Sequence, residues 1–227
     1  MVYIIGNGLK PFLTTLRGFS FLKVWMKQLI YIHGWDVFLT EDDFRKALES
    51  WTYEPFGERK KWTDRLKEQL KNNYEFFMPD MPNKHDAKYG LWKIWFEKIF
   101  PYLNDEDLIV IWRSLWWMFL IKYLWENIFP KKIKQLHLIS SVFDGSGMSD
   151  EKKYTWNFAF DPTIIPNLQD QAEEIFIYHS MDDDSVPYTH AEKIKSYLPN
   201  AKLITFKANG HFRQPEFPEL LENIRSS

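Results

Sequence analysis

Leu108-Ile109-Val110-Ile111 runs without a polar break into Trp112-Arg113-Ser114-Leu115-Trp116-Trp117, and a helix-like run to Asn127 follows. A short, wholly apolar run of this kind predicts a strand buried on both faces, as in parallel sheets covered by helices. The serine at the junction has two readings. Its hydroxyl can cap the first turn of the helix. Alternatively, the tight strand-to-helix turn exposes it at the carboxyl edge of the sheet, where the helix N-terminus favours developing negative charge, as a nucleophile requires. Taken alone, Ser114 is more simply a cap, and the choice turns on what the rest of the chain places beside it.

Outward from this segment, further strand-like runs lie at Lys27–His33, Glu75–Met78, Leu136–Ser140, Ile175–His179 and Leu203–Phe206. Between them, Glu41–Ser50, Lys60–Asn72, Lys88–Phe100, Ser114–Asn127, His190–Leu198 and Glu216–Ile224 read as helices. In Lys88–Phe100 the stripe Trp92, Trp95, Phe96 and Ile99 recurs at helical spacing. Alternation of strand and helix predicts an α/β class, a three-layer αβα sandwich around a mostly parallel sheet. Phe143–Asp170, with Gly145, Gly147, Pro162 and Pro166, is the longest irregular stretch and is expected as a loop or small cap over a cleft.

Residues 1–25 carry no acidic side chain, and Met26-Lys27-Gln28 reads like a second natural start. The expected division is therefore an N-terminal extension, 1–25, and one domain, 26–227. Thr14, Thr15 and Arg17 interrupt any apolar run that a targeting segment would need. Gly6-Asn7-Gly8 lacks the third glycine and the helix signal of a phosphate loop.

Composition narrows the function. With 227 residues, 45% hydrophobic and 26% charged, the chain is long enough for a sizeable core. A formal net charge of -2 offers no basic surface for nucleic acid and no polybasic run for anionic lipid. No apolar stretch approaches the roughly 18 residues of a membrane span. The absence of cysteine excludes disulfides, thiolate metal sites and a Cys nucleophile, and fits a reducing, cytoplasmic setting.

Two further strand ends carry reactive side chains. After Ile175–His179 comes Ser180-Met181-Asp182-Asp183-Asp184-Ser185-Val186-Pro187, and after Leu203–Phe206 comes Ala208-Asn209-Gly210-His211-Phe212. An acid just beyond a strand is placed to orient a histidine, and a histidine on a glycine-preceded loop can swing over the sheet edge as general base. Three adjacent acids also suggest a cation site with His179 or His190, but consecutive residues at a strand end diverge, whereas a divalent ion needs convergent ligands. The order Ser114, Asp183, His211 separates this set from other serine-histidine arrangements. Jointly the three favour the catalytic reading of Ser114. Ile30-Tyr31-Ile32-His33-Gly34-Trp35 ends the first core strand in His33-Gly34. That turn is expected to support an oxyanion hole made by the backbone N–H groups of Trp35 and Leu115. His85 is expected to be exposed, and His137 to be a strand residue.

These segments resemble the small serine hydrolases of the YdeN and retinoblastoma-binding-protein type. The resemblance runs from about Met26 onward, through Ile30–Gly34, Phe77-Met78-Pro79-Asp80-Met81-Pro82, the Ser114 turn, Asp182–Pro187 and Gly210-His211-Phe212. It implies an α/β-hydrolase fold with Ser114 as nucleophile, Asp183 as orienting acid and His211 as base. It implies a small-molecule acyl substrate and no cofactor or metal. Asp184 departs from the family, which usually has Pro there.

The family elbow reads Gly-His-Ser-x-Gly-Gly, where this chain has Trp112, Arg113, Trp116 and Trp117 around Ser114-Leu115. Trp35 likewise stands where the family favours Gly. Small residues are needed at such a turn because strand and helix press together there. An indole is expected to overpack it, at about 1–3 kcal/mol per site. The chain has 11 Trp against 9 Gly. Some bacterial lineages read UGA as Gly and others as Trp, so a translation by the wrong table would place Trp at glycine sites; Trp125 and Trp156 are weaker candidates. A second function class follows from the same residues: a non-catalytic binding module on this scaffold, with exposed aromatics marking a protein partner.

Overall fold

The computed structural model describes residues 15–16, 19–20, 25–34, 38, 40–52, 61–114, 117–144 and 158–226. A two-residue antiparallel pair, β1 (Thr15–Leu16) and β2 (Phe19–Ser20), precedes the main sheet. Among the described residues that sheet has six strands: β3 (Lys27–Ile32), β4 (Tyr74–Phe77), β5 (Leu108–Arg113), β6 (Ile133–Ile139), β7 (Ala172–Ser180) and β8 (Lys202–Phe206). All of its pairings are parallel, in the order β4-β3-β5-β6-β7-β8. The expected strands are all present, within a few residues of their predicted ends.

Side chains alternate between two cores, as a pleated strand requires. Ile30, Val110, Trp112, Leu136, Leu138 and Ile177 face one layer. It is built by α3 (Tyr89–Glu97), α4 (Trp117–Glu126) and α6 (Thr189–Tyr197). Leu29, Tyr31, Ile109, Ile111, Phe176 and Tyr178 face the other. That side is covered by α2 (Trp62–Leu70) and α7 (Pro218–Arg225). The three-layer αβα sandwich is thus as the alternation of elements predicts. Seven of the ten residues of α4 are buried, which follows from its being apolar on nearly every side.

α1 (Glu41–Ser50), capped by Thr40 accepting from Asp43 N at 3.1 Å, has its expected bounds and buries none of its residues. Two other elements depart from expectation. α7 begins at Pro218 rather than Glu216, because proline at the first helical position lacks only an N–H that would have no partner there. Within Phe143–Asp170, a 3₁₀ turn at Pro162–Asn167 leads into the four-residue α5 (Leu168–Gln171). The Asp161 carboxylate starts that turn by accepting from Thr163 N at 2.9 Å. Phe158, Ile165 and Leu168 bury against the α4 side. The stretch is therefore partly ordered core; residues 145–157 lie outside the described residues.

β3 opens the sheet in the chain, and the next two strands add on its opposite sides. This is a topological switch, and ligands of open α/β sheets bind beyond the strand carboxyl ends at such points.

Candidate active site

Ser114 follows β5 directly, at the switch, and has a backbone φ of 62°. A helix cap has extended backbone, whereas this residue is left-handed, a conformation a residue with a Cβ rarely adopts. Gly34, beyond β3, presses against it. A Cβ at Gly34 would lie 2.7 Å from Ser114 Cβ and 3.2 Å from Arg113 O, so only glycine lets the two strand ends approach this closely. Ser114 itself is half-buried.

Asp183 follows β7, and His211 follows β8. His211 Nδ1 lies 3.0 Å from Asp183 Oδ1 and 2.9 Å from Oδ2. Backbone N–H groups of Ser185 (2.9 Å) and Val186 (2.8 Å) donate to Oδ1, and the Ser140 hydroxyl donates to Oδ2 at 2.7 Å. The Asp183 side chain has no exposed surface, and that of His211 is 10% exposed. Burial by itself raises the Asp183 carboxyl, but the hydrogen bond and charge of His211, with Ser140 and the Val186 N–H, outweigh it and hold it at about 2. For His211, burial is the largest influence and lowers it; Asp183 opposes this, and the charges of Arg113 and Arg213 add to the lowering. The pair is therefore a carboxylate and a neutral imidazole near pH 7. With Asp183 accepting at Nδ1, the lone pair falls on Nε2.

The histidine loop is held on several sides. Gly210 and Phe212 flank His211 at φ 49° and 50°. Gly210 N donates to Asp182 Oδ1 at 2.9 Å, and Asn209 N donates to Ser180 Oγ at 2.9 Å. The Trp62 indole N–H donates to Phe212 O at 3.1 Å, while Phe212 stacks on Phe217 at 4.8 Å. Arg113, beside Ser114, donates from its guanidinium to His211 O at 2.5 Å.

The three acids diverge, as expected of consecutive residues at a strand end. Asp182 holds Gly210 and Ser180, Asp183 holds His211, and Asp184 pairs with Arg213 at 3.0 Å. His179 is buried, with Nε2 2.8 Å from Val186 O, and His190 accepts from Phe143 N at 3.0 Å. Among the described residues, no group of three or more His, Cys, Asp or Glu side chains is gathered as metal ligands. His33 lies in the Gly34 turn with Nε2 3.4 Å from Asp80. His137 is a buried β6 residue, as expected. His85 is half-buried rather than exposed, stacked on Phe44 at 4.4 Å. Trp35 and Leu115, expected to form the oxyanion hole, lie outside the described residues, as do Trp116 and Trp156.

Trp112 and Trp117 are both fully buried. Their rings enter the core on the α4 side: Trp112 stacks on Phe119 at 5.8 Å, and the Trp117 N–H donates to Val142 O. The Trp112 indole N–H is buried with no acceptor among the described residues. Trp125 is half exposed.

Sequence reasoning did not find Ser140 or the bond from Arg113 to the histidine loop. A polar residue closing the apolar β6 run was the one available signal for Ser140.

No protein-family model matches the chain. Serine hydrolase RBBP9 of Rattus norvegicus is 24% identical over 170 residues, 73% of this chain and 83% of the rat protein. Among solved structures, the ydeN gene product from B. subtilis superposes with a TM-score of 0.66 at 17% identity, covering 88% of this chain and 98% of that one. Est1E from Butyrivibrio proteoclasticus superposes at 0.56 with 15% identity, covering 88% and 86%. The meta-cleavage product hydrolase CumD from Pseudomonas fluorescens superposes at 0.60 with 14% identity, covering 88% and 91%. The chain has the α/β-hydrolase fold and resembles the small serine hydrolases of the YdeN and retinoblastoma-binding-protein type. No helix among the described residues is long and apolar enough to cross a membrane.

Proposed function

We propose that the protein is a serine hydrolase that cleaves a small ester or related acyl substrate through an acyl-enzyme. The observation that carries this reading is the buried His211 held by the Asp183 carboxylate on the same sheet edge as the left-handed Ser114. The serine hydrolase similarity supports it independently.

Ser114 Oγ attacks the substrate carbonyl carbon as His211 Nε2 takes the hydroxyl proton. Asp183 keeps the ring in the tautomer that presents this lone pair and stabilises the imidazolium that forms. The tetrahedral oxyanion is bound by the backbone N–H groups of Trp35 and Leu115, the roles their places in the chain assign them. The carbonyl re-forms, the alcohol departs with the proton from His211, and the acyl group remains on Ser114. Water then attacks this ester with the same base, releasing the carboxylic acid and free Ser114. No cofactor or metal enters either half.

The test is covalent labelling with a fluorophosphonate, before and after Ser114→Ala. Labelling lost in the variant supports the assignment, and labelling that survives refutes it. A folded parent that takes no label is the outcome expected of a non-catalytic binding module.

A further inference from the structure

Ser140 stands immediately beyond β6, at the same sheet edge, and has no side-chain role in the chemistry above. It is fully buried, and its backbone φ is 44°, left-handed for a residue that carries a Cβ. Such conformations persist only where the surrounding structure imposes them. Here the Ser140 N–H donates to Tyr178 O at 2.9 Å, continuing the ladder to β7. The turn then delivers the hydroxyl to Asp183 Oδ2 at 2.7 Å.

The two oxygens of Asp183 are held differently. Oδ1 accepts two rigid backbone N–H groups from its own loop. Besides His211, Oδ2 has the Ser140 hydroxyl as its donor, with His179 Nε2 further off at 3.7 Å and engaged by Val186 O. Oδ1 lies off the Cβ–Cγ axis, so its two donors already resist a twist of the carboxylate, but hydrogen bonds are soft and leave a residual swing about that bond. A donor at the second oxygen from a different strand narrows that swing.

We propose that Ser140 is a positioning residue: its hydroxyl fixes the plane of the Asp183 carboxylate so that both oxygens face His211 Nδ1, and by drawing charge from that carboxylate it sets the pH at which His211 takes up a proton. The kinetic part of this inference rests on the serine hydrolase reading; the geometric and titration parts do not.

The other charged or titratable groups around His211 are Asp183 and His179 from β7 and its loop, Asp182 through Gly210 N, Arg113 from β5, and Arg213 on the histidine loop. Removing the Ser140 hydroxyl leaves all of them in place. Asp183 then carries its charge less shared, and His211 becomes harder to deprotonate.

The experiment is a titration of His211 by NMR in the parent, Ser140→Ala and Ser140→Gly, with His211→Gln assigning the resonance. Both variants are expected to titrate about half a unit higher. In parallel, the rate of fluorophosphonate labelling at Ser114 should fall about tenfold, short of the roughly 100-fold associated with a 1 Å misplacement. Its acid limb should move upward with the NMR midpoint. Glycine adopts a φ of 44° without strain, so the Gly variant folds even where the Ala variant does not. A purely backbone role for Ser140 predicts that Ser140→Gly titrates and reacts like the parent, and that result overturns the proposal. A parent that takes no label at all refutes the hydrolase reading instead, and the NMR shift still decides the role of Ser140.

Discussion

Gly34→Ala isolates the contact on which the geometry of Ser114 depends. The added Cβ would sit 2.7 Å from Ser114 Cβ, 0.7 Å short of the 3.4 Å at which ordinary van der Waals contact begins, and 3.2 Å from Arg113 O. Neither neighbour is the free end of a flexible side chain. Arg113 O belongs to the end of β5, and Ser114 Cβ is fixed to a backbone already at φ 62°. Relief must come from parting the ends of β3 and β5 or pushing Ser114 outward, by roughly the missing 0.7 Å in either case. Overpacking of this kind costs about 1–3 kcal/mol. In a chain of this length, 1 kcal/mol corresponds to about 2–4 °C, so the melting temperature should fall by roughly 2–12 °C. A displacement approaching 1 Å costs about 100-fold in rate, so kcat/KM on a short-chain nitrophenyl ester should drop about 30- to 100-fold. A thermal melt and that assay, run on the same preparation, decide it. Activity within threefold of the parent together with an unchanged melt would refute the claim that Gly34 is required to shape the Ser114 turn.

Other perturbations follow from the same geometry. Asp183→Asn should keep the fold yet lower kcat by up to about 10⁴, because the wrong imidazole tautomer is favoured; a near-normal rate would remove Asp183 from the site and point to Asp182. Hydrolysis needs neutral His211, and burial lowers its pKa, so kcat/KM should rise with pH through a midpoint below about 6.5; a midpoint above 7 contradicts this. Burial pushes His137 down to about 3, so below about pH 6.5 the unfolded chain binds a proton that the folded chain refuses. Stability should therefore decline as pH falls from 6.5, and a melting temperature constant between pH 7 and 4.5 would argue against it. The recoding reading predicts in-frame UGA at codons 112, 116 and 117, and a gain in melting temperature and esterase activity when all three are Gly. UGG codons end the recoding reading and leave engineering or true divergence; a lower melt with no gain in activity identifies the tryptophans as native packing.

The strands were legible in the sequence because burial on both faces leaves almost no polar residue in a run such as Leu108-Ile109-Val110-Ile111. Alternation with amphipathic helices then determines a parallel sheet with two covered faces, since neither kind of element can bury its apolar side alone. Asp183 and His211 were also readable as a candidate pair, because each follows a strand and a parallel sheet gathers strand ends at one edge. What the sequence could not determine depends on contacts between segments far apart in the chain. Only the tertiary structure brings Gly34 against Ser114, Ser140 onto Asp183 and Arg113 onto the His211 carbonyl. It alone makes His85 half-buried and turns the Trp112 and Trp117 rings into the core. Local patterning records which face of an element is apolar; distances and hydrogen bonds between strand ends are fixed by sheet order and register, which no single segment encodes.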